Sequence, residues 1–62
     1  MSDEFVELEL EFRRELMAAL VFFDGDREYV LPKSQVEIVA EGNEGLWTIE
    51  IPEWLAVKEG LA

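Results

Sequence analysis

The residues of this chain that could do chemistry are carboxylates. Glu7, Glu9 and Glu11 stand at every second position, and Asp24, Asp26 and Glu28 repeat that spacing further on. Paired carboxyls can act as acid and base across a substrate cleft. Hard oxygens can hold calcium. A regular row of negative charge can also stand in for a phosphate backbone. Composition narrows these options. The 62 residues carry 15 Asp and Glu against 5 Lys and Arg, a net charge of -10, with neither His nor Cys. Without His the chain lacks the usual base at neutral pH and the commonest nitrogen ligand for metals. Without Cys it has no thiol nucleophile, zinc–thiolate site or disulfide. The hydroxyls of Ser2, Tyr29, Ser34 and Thr48 have no imidazole to activate them, and Lys33-Ser34 reads as a turn after Pro32. A chain this short also offers little volume for a cleft. The segment Asp24-Gly25-Asp26-Arg27-Glu28 departs from the calcium-loop order, which has glycine after the third acid. No catalytic residue, metal or cofactor is expected, and the protein is not read as an enzyme.

What remains is charge as a surface. Clustered Lys and Arg, which membranes and nucleic acid require, are missing. The expected partner is therefore a basic protein, itself a nucleic-acid-binding one, with no direct contact to nucleic acid or membrane. The longest apolar run, Leu16 to Phe23, has eight residues, against the roughly 20 of a membrane-spanning helix. The acidic start Met1-Ser2-Asp3-Glu4 lacks the features of a secretory leader. A Cys-free chain suits a reducing cytoplasm.

The carboxylates need elements that hold them on one side. From Glu4 to Phe12, acidic and apolar residues alternate strictly, so a strand over about 4–13 puts Val6, Leu8, Leu10 and Phe12 on one face and Glu7, Glu9 and Glu11 on the other. Phe5, Leu8, Phe12, Leu16 and Ala19 also fit helical spacing, but the alternation favours strands. Arg13-Arg14-Glu15 is expected to turn the chain. Leu16 to Phe23 reads as a strand covered on both sides. Asp24-Gly25 predicts a two-residue type I′ hairpin, and a third strand runs over about 27–31 until Pro32 stops it. A fourth, Gln35 to Glu41, places Val36, Ile38 and Ala40 on one face. After the loop Glu41 to Gly45, a fifth strand, Leu46 to Ile51, points Trp47, Ile49 and Ile51 inward and Thr48 and Glu50 outward. Pro52 at the first helical position, Glu53 beside it and Gly60 just past the end bound a short helix burying Trp54, Val57 and Leu61. The expected fold is one α+β domain, residues 1–62. It consists of a five-stranded, mainly antiparallel sheet, open or curled into a small barrel, with a C-terminal helix. A homo-oligomer stays open, because a second subunit could enlarge so small a core.

Tyr29-Val30-Leu31-Pro32-Lys33-Ser34-Gln35-Val36-Glu37-Ile38, with Ile51-Pro52-Glu53-Trp54-Leu55-Ala56 and Lys58-Glu59-Gly60-Leu61, resembles small acidic proteins of bacteriophages and mobile elements. Those pair a Trp-Leu-Pro-Lys-Ser-Gln-like segment with a Pro-Glu-Trp-Leu-Ala tail. Here Val30 takes the tryptophan position, and the tail reads Lys-Glu-Gly rather than Glu-Lys-Gly. The resemblance covers the C-terminal half and implies a viral protein acting in the bacterial host cytoplasm. Such proteins include anti-CRISPR inhibitors that evade host defence as DNA mimics. Along a strand the acidic side chains recur about every 6.8 Å, a scale similar to DNA phosphates, which fall every ~3.4 Å of axis per strand and are set further apart by the helical winding. The leading expectation is an anti-CRISPR-like DNA mimic that blocks DNA or PAM binding by a CRISPR effector, a type I Cascade complex being the first choice. Its partner-binding residues are Glu7, Glu9, Glu11, Asp24, Asp26 and Glu28. The alternatives are a small phage interaction or adaptor protein, homodimeric or not, docking through Phe22, Phe23 or Trp54, and an acidic inhibitor of another DNA-binding defence enzyme. Residue types alone leave open whether the acidic face binds or merely keeps the protein soluble.

Overall fold

The computed structural model describes residues 4–61; Ser2 and the rest of the acidic start before Glu4 lie outside them. Five strands form one antiparallel sheet: β1 (Phe5–Glu15), β2 (Ala19–Phe23), β3 (Glu28–Pro32), β4 (Glu37–Glu41) and β5 (Leu46–Pro52), followed by α1 (Glu53–Glu59). Their spatial order is β3-β2-β1-β5-β4, and the sheet stays open. β1 is central and shared. Its first half, Phe5 to Glu11, pairs with β5, and its second half, Glu11 to Glu15, pairs with β2. Only Glu11 has a strand on both sides, so the two halves of the sheet are staggered along β1.

One face carries the core. Leu10, Leu20, Phe22, Tyr29, Leu31, Ile49 and Ile51 are buried against Leu55 and Ala56 of α1, with Val6, Leu8, Phe12, Val36, Trp47 and Leu61 packed around them. Phe12 stacks on Trp47 at 4.2 Å, and both meet the ring of Phe22 edge-on at 5.9 and 6.1 Å. The alternating residues of β1 and β5 fall on the faces their patterns indicate. α1 ends as expected at Gly60, whose left-handed φ of 79° closes the helix through its N–H to the Ala56 and Val57 carbonyls. A Cβ at this position would make that backbone cost about 1–2 kcal/mol. Gly60→Ala is thus expected to lower the denaturation midpoint measurably, and an unchanged midpoint would show that the helix end relaxes freely.

Several boundaries differ from expectation, each for a local reason. Arg13-Arg14-Glu15 does not turn. β1 continues through it with a bulge between Phe12 and Arg14, and the reversal comes at 16–18, closed by the Leu16 N–H to the Ala19 carbonyl. The second strand therefore starts at Ala19, and Met17 is left 97% exposed at the turn. On the outer face of β2 only Val21 is fully buried. It lies in register between Arg14 and Val30, where a long Arg stem can cover it. Pro32 closes β3 and is tolerated because β3 is an edge strand. A 3-10 turn at Lys33–Gln35 shortens β4, and a bulge between Ile38 and Ala40 moves Ala40 to the face opposite Ile38, in register with Thr48. Pro52 caps the helix instead of starting it. The helix buries Leu55 and Ala56, while Trp54 and Val57 stay 55% and 60% exposed. Trp54 is thus no core residue.

Candidate acidic interface

α1 covers the apolar face, so the opposite face of the sheet is open. It carries Glu7, Glu9, Glu11, Glu28, Glu37 and Glu50, while register places Glu15 and Glu41 on the apolar side. Pairing sets Glu7 opposite Glu50, and Glu50 opposite Glu37. Three carboxylates thus stand side by side across β1, β5 and β4, at the strand spacing of about 4.8 Å. Glu9 follows one step along β1, beside Thr48, and Glu11 one step further, beside Leu46. No ion pair reaches Glu7, Glu9, Glu37 or Glu50 among the described residues.

Both arginines of β1 gather at its other end. Arg13 approaches Glu11 at 3.3 Å and Glu28 at 4.0 Å, and Arg14 meets Glu28 at 3.4 Å. The bulge directs both guanidinium groups to this acidic side, and Arg13 also lies over the Phe23 ring at 4.2 Å. Exposed pairs of this kind add little stability, but they neutralise Glu11 and Glu28 locally. The open face is divided accordingly, with bare carboxylates over β1, β5 and β4 and a charge-balanced corner over β1, β2 and β3. Lys33 pairs with Glu15 at the sheet's end, outside both regions.

The six residues indicated by the sequence are therefore not equivalent. Glu7 and Glu9 lie in the bare region; Glu11 and Glu28 lie in the balanced corner; Asp26 is exposed at the hairpin tip. Asp24 is engaged in folding. Its Oδ1 accepts the N–H groups of Asp26 and Arg27 at 2.7 and 2.9 Å, and its Oδ2 accepts the Tyr29 hydroxyl at 2.7 Å. These bonds make the hairpin a four-residue loop, Asp24 to Arg27, in place of a two-residue type I′ turn. Only Gly25 adopts positive φ there, at 99°. Arg27 stacks on Tyr29 at 4.6 Å and donates to the Glu59 carbonyl, tying the hairpin to the end of α1.

The Arg27 N–H, with help from the Tyr29 hydroxyl and the Asp26 N–H, holds the Asp24 carboxyl down at about 2, against an ordinary 3.8. A depressed acid stabilises the fold fully above its unfolded value, and that contribution fades as pH falls from about 3.8 through about 2. Carboxyl NMR should therefore place the Asp24 midpoint near 2, and Tyr29→Phe should raise it. A midpoint near 3.8 in the native protein would refute the bonded loop.

Glu37 and Glu50 are the residues that the strand pattern alone did not assign to the site. Glu50 was legible as outward-facing, but its place beside Glu7 depends on register. Among the described residues no acidic side chains group as a metal site would require, and no helix is long and apolar enough to cross a membrane. No family model, curated protein sequence or solved structure matches this chain.

Proposed function

We propose that this protein is an acidic inhibitor that occupies a Lys/Arg surface built for nucleic acid, acting as a DNA mimic. The observation that carries the reading is the row Glu37–Glu50–Glu7, continued by Glu9. Like charges directly opposite in neighbouring strands oppose sheet formation, so folding gains nothing from this arrangement. The chain's two neighbouring arginines balance Glu11 and Glu28 and leave the row bare. A rigid array of this kind matches a basic channel and should associate quickly, with strong dependence on salt.

The resemblance to acidic bacteriophage proteins supports a CRISPR effector as the target, its DNA- or PAM-reading surface as the contact, and the bacterial host cytoplasm as the setting. Tagged protein in lysate of a CRISPR-bearing host is expected to retain an effector subunit at low salt. Target DNA or high salt should release it, since screening shortens to about 3 Å at 1 M. Retention of only a non-nucleic-acid protein, undiminished by salt, would overturn the reading in favour of an adaptor. For such an adaptor the apolar contact would be Trp54 with Val57. Phe22 is fully buried, and Phe23 lies half-buried beneath Arg13.

A further inference from the structure

β4 is an outermost strand, and all five of its residues, Glu37 to Glu41, are exposed. Two depressions flank it and share Val36 and Ile38 as lining. One, of about 400 Å³, lies on the apolar face and is walled by Phe12, Leu20 and Trp47, together with Glu41 and the Glu15–Lys33 pair. The other, of about 520 Å³, is walled by Glu37 and Glu50. Side chains of any strand laid beside β4 would alternate between these two sides. We infer that β4 accepts an extended segment of the partner protein as a sixth strand, one in which apolar and basic residues alternate. The apolar side chains enter the Phe12–Trp47 groove, and the Lys or Arg side chains meet Glu37 and Glu50. The inference rests on the reading of a basic partner given above and adds how that partner is gripped.

Charge selects this occupant over a second copy. A second copy would bring its own Glu37 and Glu41, within a net charge of -10, to the same edge, an unfavourable approach. A basic segment brings opposite charge to Glu37 and Glu50. The bulge at Val39 limits the straight edge to the stretch before it, so the added strand is short. The opposite edge, β3, ends in Pro32, which has no N–H to offer.

The test uses two synthetic peptides of equal charge, one alternating Lys and Val, the other alternating Lys and Pro, which cannot join a ladder. Binding is followed by amide exchange of β4 and by the Trp47 indole signal. The Lys/Val peptide is expected to bind about tenfold more tightly, through added main-chain bonds, to slow exchange across Glu37 to Val39 and to shift Trp47. Val39→Lys should remove that advantage while leaving the far-UV spectrum unchanged. Equal binding of both peptides, without β4 protection, would overturn the edge site and leave the acidic-face reading standing. Binding of neither would overturn both. Protection of β4 without peptide, rising with protein concentration, would assign the edge to a second copy and overturn the inference.

Discussion

Glu50→Lys is expected to make this protein more stable and less able to hold the basic partner proposed for it. Glu50 stands between Glu7 and Glu37, so one substitution turns two like-charge contacts into two opposite-charge contacts. Cross-strand pairs are worth roughly 0.2–1 kcal/mol each, which sums to about 1 kcal/mol. In a domain of this size that raises the thermal midpoint by about 4–8 °C. The same change breaks the centre of the bare row. Combined with Glu7→Lys, Glu9→Lys and Glu11→Lys it should weaken low-salt capture about 100-fold or more, mostly by slowing association. Thermal denaturation and capture assays on one preparation read both effects. Capture that survives the combined charge reversal would eliminate mimicry. A lowered midpoint for Glu50→Lys would show that the row is not strained as its register indicates.

Phe22→Ala should have the largest effect on folding. Phe22 is fully buried, lies in register between Phe12 and Tyr29, and meets the Phe12–Trp47 stack edge-on. Truncating a buried Phe costs about 3–5 kcal/mol, and a core of this size supplies only about 3–5 kcal/mol in total. The variant should be largely unfolded at about 25 °C, with collapsed amide dispersion and loss of the Trp47 near-UV signal. Trp54→Ala is the matching control. Its ring is 55% exposed on α1, and the change should fall within about 1 kcal/mol. A folded Phe22→Ala protein would mean that the core collapses around the gap more freely than the three-ring cluster suggests.

Much of this architecture was legible because it depends on neighbours in sequence. The alternation from Val6 to Phe12 and from Trp47 to Ile51 assigns each side chain to a face, since a strand's period is two whatever it pairs with. Gly60 marked the helix end through its own backbone freedom. Local pattern misled where a residue's place depends on what lies across from it. Arg13 and Arg14 looked like a turn because they break the apolar rhythm, yet a bulge absorbs one extra residue and keeps the strand running. Ala40 was assigned to the wrong face for the same reason. Trp54 looked like core because it is large and apolar, but helix phase against the sheet buried Leu55 and Ala56 instead.

The candidate interface divides along the same line. Residue order was enough to establish that an acidic face exists, that Glu7 and Glu9 belong to it, and that Glu50 points outward. Which carboxylates stand together was settled only by the folded sheet. Strand order and register brought Glu7, Glu50 and Glu37 into one row from three segments, and carried Glu28 to the arginines of β1. Folding also withdrew Asp24 into the hairpin through Tyr29, five residues away. Alternation is a property of one strand, whereas the spacing of charges across a sheet is a property of its pairing. Glu7 and Glu50 lie 43 positions apart along the chain and become neighbours only when β1 and β5 share a ladder.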